Sequence, residues 1–109
     1  YVLTDGGVIV GTFSFIIGDE PTYRVLLNGH WHADRPYGTI HRLASKGTAH
    51  GVARACFSFC LGIMDYVRID THENNHTMQS AITGYGFRKC GNIYASNGTL
   101  RTAYDFIRP

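Results

Sequence analysis

The run Lys46-Gly47-Thr48-Ala49-His50-Gly51 joins a strand-like stretch to a helix-like one, and its residue types suit an anion. Small residues there let the backbone approach a ligand closely. The first turn of the following helix leaves N–H groups unpaired and carries the positive end of the dipole. Lys46 precedes the turn and His50 and Arg54 flank it, so side-chain charge and backbone favour the same guest, a phosphate. The same residues also fit an ordinary strand-to-helix connection, because glycine-rich turns have many uses.

Two other groups have chemistry in their residue types. His30 and His32 would share one side of a strand and, with another ligand, could bind zinc. No third ligand is spaced in the sequence to join them, so they read as residues lining a surface beside Trp31. The three cysteines, Cys56, Cys60 and Cys90, cannot all pair, and the first two stand four apart on one helix face. They read as reduced, buried thiols of a cytoplasmic protein.

The elements that position these residues follow from periodicity. Residues 39–44 alternate as a strand, and Val52, Cys56, Phe59 and Cys60 recur at helical spacing, with Leu61-Gly62 closing the helix. Before them, strands are expected at 1–3 and 8–17, joined by a Thr4-Asp5-Gly6-Gly7 turn, and a third at 23–27 ahead of an Asn28-Gly29 turn, with 34–38 as loop. After them come a strand at 66–71, a helix capped by Asn74 or Asn75 with Met78, Ala81 and Ile82 on its apolar side, and an end at Gly84-Tyr85-Gly86. Strands at 87–94 and 100–107 pair around Asn97-Gly98. The aromatics Phe13, Phe15, Phe57, Phe59 and Phe87 read as core. A helix between the strands at 39–44 and 66–71 makes them parallel neighbours, and a splayed gap between their C-terminal ends is a natural ligand site. The expected fold is therefore α/β, a mixed sheet with helices against it.

At 109 residues the chain is one domain, 1–109, and an apolar fraction of 44% allows it one hydrophobic core. Its net charge of +2 is scattered, so no basic stripe points to nucleic acid. No apolar run approaches the roughly twenty residues of a membrane span, and no stretch with a basic start and an apolar middle reads as a signal peptide. The sequence begins at Tyr1 in a strand already under way, as expected of the C-terminal portion of a longer chain.

Three stretches, taken in order, resemble the GCN5-related N-acetyltransferase (GNAT) superfamily over nearly the whole chain. They are Ile40-His41-Arg42-Leu43-Ala44-Ser45 as a central strand, Gly51-Val52-Ala53 as the glycine end of a pyrophosphate loop, and Asp70-Thr71-His72-Glu73-Asn74-Asn75 followed by Met78-Gln79 and Gly84-Tyr85-Gly86-Phe87. The resemblance implies a mostly antiparallel central sheet with one parallel, splayed pair and flanking helices. It implies acetyl-coenzyme A as co-substrate and a primary amine of a small molecule, peptide or protein as acceptor. Two positions depart from the family pattern. Thr48 stands where the loop usually opens with Gln or Arg, and Ile82 where a tyrosine often precedes the final glycine. The family's first strand and two N-terminal helices are mostly missing, so a homodimer or a partner chain is expected to cover that part.

By the same resemblance the acetyl group lies beside Leu43, Ala44 and Ser45, and the pyrophosphate on the N–H groups of Ala49, His50, Gly51, Val52, Ala53 and Arg54. Asn75 touches the pantetheine arm. His41 is the expected base, standing where many members place a glutamate and titrating near neutral pH, unless a neighbouring strand or solvent satisfies it. His72 and Glu73 come next. Tyr85 stands in as the acid in place of the missing tyrosine, or packs. The alternative to an acetyltransferase is a module of the same fold that binds coenzyme A without chemistry, as a sensor or assembly domain. A third reading is a structural fragment completed by another chain.

Overall fold

The computed structural model describes residues 1–46 and 51–109. Along the chain run β1 (Val2–Asp5), β2 (Val8–Ile17), a 3-10 turn (Pro21–Tyr23), β3 (Gly38–Ser45), α1 (Val52–Ile63), β4 (Tyr66–His72), α2 (His76–Tyr85), β5 (Arg88–Tyr94) and β6 (Leu100–Ile107). The strands form one sheet in the order β1-β2-β3-β4-β6-β5, antiparallel except for the β3/β4 pair. This is the mixed α/β sheet that the periodicity predicts. No helix among the described residues is long and apolar enough to cross a membrane.

Both helices cover one face. In α1, Val52, Cys56, Phe57, Cys60 and Leu61 are buried, a stripe at helical spacing that packs on Phe13, Ile40, Val67 and Ile69 of the sheet. Asn75 is the cap of α2, its Oδ1 accepting from the Met78 N–H at 3.1 Å. All three cysteines are buried. Phe59, expected in the core, is 45% exposed, its ring edge-on to those of Tyr1 and Phe13. It lies off the buried stripe, a position that Phe57 fills.

Residues 18–37 cover the opposite face, and here the structure corrects the sequence. The strand expected at 23–27 does not form. Glu20 caps Pro21–Tyr23 as a 3-10 turn, and Leu27 makes only a single bridge to Asn92 on β5. What holds this segment is aromatic burial. Tyr23, Trp31 and Tyr37 pack on Tyr66, and the Arg68 guanidinium lies over Trp31 and Tyr37, 4.1 and 4.0 Å from the ring centroids. His30 and His32 accordingly do not share one side of a strand; their rings meet edge to face at 5.5 Å. The other correction is small. Gly62 does not end α1, which runs to Ile63 before Met64 turns extended. A chain leaving directly into an extended residue needs no left-handed glycine.

Candidate active site

β3 and β4 are paired at only three positions, Gly38 with Val67, Thr39 with Arg68 and Ile40 with Ile69. Beyond these, β3 continues to Ser45 and β4 to His72 without pairing, so their C-terminal ends diverge. On its other side β3 slips register against β2 between His41↔Ser14 and Ala44↔Thr12. Arg42 and Leu43 therefore oppose Phe13 alone, a β-bulge, and Arg42 takes a left-handed φ of 55°. Such a backbone is costly for arginine, and a bulge leaves one residue without a ladder partner at the mouth of the gap.

A cavity of about 120 Å³ fills this gap, lined by Leu43, Thr71, Asn75 and Met78 and by the charged trio Arg42, Asp70 and Arg101. On the helix face it adjoins a larger cleft of about 490 Å³, which shares Met78. One wall of that cleft is Ser45 with Gly51, Val52, Ala53 and Arg54; the other is α2. Gly51 enters α1 with φ 76° and, as a glycine, offers no side-chain cap of its own. The positive end of the dipole borders the cleft there. Arg54 adds a cation, its guanidinium 5.5 Å from the centre of the Tyr85 ring.

On the opposite face a third cavity, about 260 Å³, shares Arg42, Asp70 and Arg101 with the gap. His41, Glu20, Thr22, Ile93, Ala95 and Ser96 complete its lining. His41 Nε2 lies 3.0 Å from Glu20 Oε1, while Glu20 Oε2 accepts the Thr22 N–H. Asp70 accepts hydrogen bonds from the Tyr23 hydroxyl and from Arg101 Nε. Burial, reinforced by the charge of Asp70 and the bond to it, raises the Tyr23 phenol well above its ordinary pKa. The three spaces adjoin through the residues they share, and this line of cavities, the passage, runs from the N-terminal end of α1 to the His41–Glu20 pair.

The structure brings most of the expected site residues onto this passage. Leu43 and Asn75 line the gap, Ser45 and the run from Gly51 to Arg54 line the cleft, and His41 lines the far cavity. Ala44 lines none of the three and is exposed on β3. Ala49 and His50 lie outside the described residues. Tyr85 lines the large cleft rather than the gap, its hydroxyl 3.0 Å from Ser58 Oγ and its ring packed on Phe57, Phe87 and Phe106. Glu20, Arg42, Asp70 and Arg101 join the expected residues on these cavities. Asp70 had a signal in its place on the far face of an alternating strand; Glu20, in a loop, had none.

No family model and no curated protein matches the sequence. Among solved structures, the chain is similar to an acetyltransferase of the GNAT family from Streptococcus agalactiae, with a TM-score of 0.89 and 28% identity over 99% of this chain and 64% of that one. It shares its fold with a chain of the NatC complex bound to Gag peptide and CoA, with a TM-score of 0.68 and 15% identity over 98% of this chain and 66% of that one. The chain thus spans just under two thirds of the length of each.

Proposed function

The chain belongs to the GNAT superfamily, and on that premise we propose that it transfers an acetyl group from acetyl-coenzyme A to the primary amine of a small molecule, peptide or protein. The observation that carries this reading is the passage through the splayed sheet. It has the N-terminal end of α1 with Arg54 on one face and a histidine–carboxylate pair on the other, with Arg42, Asp70 and Arg101 between them.

In this reading the pyrophosphate of coenzyme A rests against the first turn of α1 beside Arg54, and the pantetheine arm runs past Met78 and Asn75 into the gap. Asn75 caps α2 through its Oδ1, so its amide NH₂ is the group that meets the arm. The bulge at Arg42 and Leu43 supplies a backbone N–H for the oxyanion that develops on the thioester carbonyl. The acceptor enters from the opposite face. Its neutral nitrogen attacks the thioester carbon; the N–C bond forms, the C–S bond breaks, and His41 takes the amine proton while Glu20 stabilises the resulting imidazolium. The departing thiolate takes a proton from solvent or from a residue of the gap.

One observation favours the non-catalytic alternative, a module that binds coenzyme A without turning it over. The Tyr85 hydroxyl lies 3.0 Å from Ser58 Oγ and lines the cleft rather than the gap, which supports a packing role over that of an acid. Calorimetric titration with acetyl-coenzyme A, then thiol release in the presence of a panel of primary amines, separates the two. Binding with amine-dependent release supports the enzyme, and binding with no release for any amine supports the module. A folded chain that does not bind removes both.

A further inference from the structure

Away from the passage, three elements bring together residues that the sequence keeps far apart. β5 slips register against β6 between Lys89↔Tyr104 and Gly91↔Ala103, which makes Cys90 the extra residue of a bulge. The loop carrying His32 is fixed against this bulge. The His30 N–H donates to the Cys90 carbonyl at 3.0 Å, and a Cβ on Gly29 would stand 1.8 Å from that same oxygen. Asp105 on β6, 1% exposed, completes the group. Its Oδ2 accepts from the His32 N–H and from the Tyr66 hydroxyl, each at 2.8 Å, and its Oδ1 lies 2.6 Å from His32 Nδ1. Cys90 Sγ is 3.4 Å from the same ring nitrogen.

We propose that His32 Nδ1, Cys90 Sγ and an Asp105 carboxylate oxygen form a site for one divalent transition cation of the zinc class. One thiolate, one imidazole and one carboxylate are donors that suit a borderline-soft ion, and three protein ligands leave a position for water. Bonds of about 2.0–2.3 Å place tetrahedral ligands roughly 3.3–3.6 Å apart. The sulfur–nitrogen separation already fits; the His32–Asp105 hydrogen bond has to open by roughly 0.7 Å. A cavity of about 250 Å³ bordered by His32 and Asp105 gives the ring and the water room.

The surroundings resemble the support that metal ligands receive. Tyr66 and the His32 N–H hold the other oxygen of Asp105, and Arg68 Nε in turn donates to the Tyr66 oxygen. Cation binding would release the Cys90 thiol proton to solvent and require the neutral imidazole to carry its proton on Nε2, freeing Nδ1 for the cation. The site would fasten residues 18–37, which carry Glu20, to the β5–β6 edge, and it does not depend on the acetyl-transfer reading.

The test titrates the whole chain, purified metal-free, with cobalt(II). One equivalent is expected to produce sulfur-to-cobalt charge-transfer absorption, abolished in Cys90→Ser and retained in Cys60→Ser, whose thiol is buried elsewhere. No charge transfer in the unaltered chain, or its persistence in folded Cys90→Ser, overturns the proposal. If Cys90→Ser does not fold, backbone amide spectra of the unaltered chain with zinc decide. Shifts confined to the neighbours of His32, Cys90 and Asp105 uphold it, and shifts elsewhere or none overturn it.

Discussion

His41 Nε2 lies 3.0 Å from Glu20 Oε1, a pair formed between the middle of β3 and the loop after β2. Glu20 is also the cap of the 3-10 turn, so the carboxylate is held on both oxygens. In a proton transfer, such a partner orients the ring and stabilises its charged form. His41→Ala is expected to lower turnover by about a hundredfold, the lower end of what general-base removal costs, with coenzyme A affinity close to normal. Glu20→Gln should lower turnover less. Steady-state rates and calorimetry check this; an equal fall in rate and affinity would make His41 structural.

Gly51 has a left-handed φ of 76° and open space where a side chain would go. Gly51→Ala is expected to cost about 1–2 kcal/mol in stability through the backbone alone and to leave coenzyme A binding measurable. Gly51→Glu adds a negative charge at the N-terminus of α1 and should abolish binding. Urea unfolding and calorimetry on the two variants read the two effects apart, and unchanged affinity in Gly51→Glu would remove the turn from the cofactor site.

The Tyr23 phenol, raised by burial and by Asp70, should stay protonated at a pH where an unperturbed phenol ionises. A folded-state pKa above the unfolded value of about 10 contributes stability that is complete below pH 10 and is lost as pH rises through the folded value. Tyr23→Phe should therefore lower stability by about 1–2 kcal/mol at neutral pH, for the bond to Asp70, and flatten the alkaline decline. Melting curves at neutral and alkaline pH measure it; an unchanged alkaline limb would refute the assignment.

Arg68 is 6% exposed, stacked on Trp31 and Tyr37, and donates to Tyr66 and to the Ala33 carbonyl. Arg68→Lys keeps the charge and loses the planar stack. A loss of at least about 2 kcal/mol is expected, seen in urea unfolding as a lower midpoint. A change within experimental error would show that the aromatic layer holds without it.

What was legible in the sequence is what local pattern dictates. The helix between the strands at 39–44 and 66–71 implied a parallel pair, and Asn75, the Gly51 turn and the Asn97-Gly98 hairpin each carry a backbone reason for their residue type. Residues 23–27 misled because Tyr23 and Leu26 are apolar for burial with Tyr66 and Ile93, far along the chain, and not for pairing to a strand. The bulge at Arg42 has no signature, since nothing about arginine favours a positive φ. Glu20 and Cys90 acquire their partners, His41 and His32, only through tertiary contact, so neither cluster can be read from spacing.

The diverging ends of β3 and β4 carry a kinetic consequence. The cavities they part lie on both faces of the sheet, one beside the N-terminal end of α1 and the other beside His41. If the proposed acetyl transfer uses them, neither reactant has to leave before the other arrives, and no side chain has to carry the acyl group between half-reactions. The expected rate law is then that of a ternary complex, with double-reciprocal lines that intersect rather than run parallel.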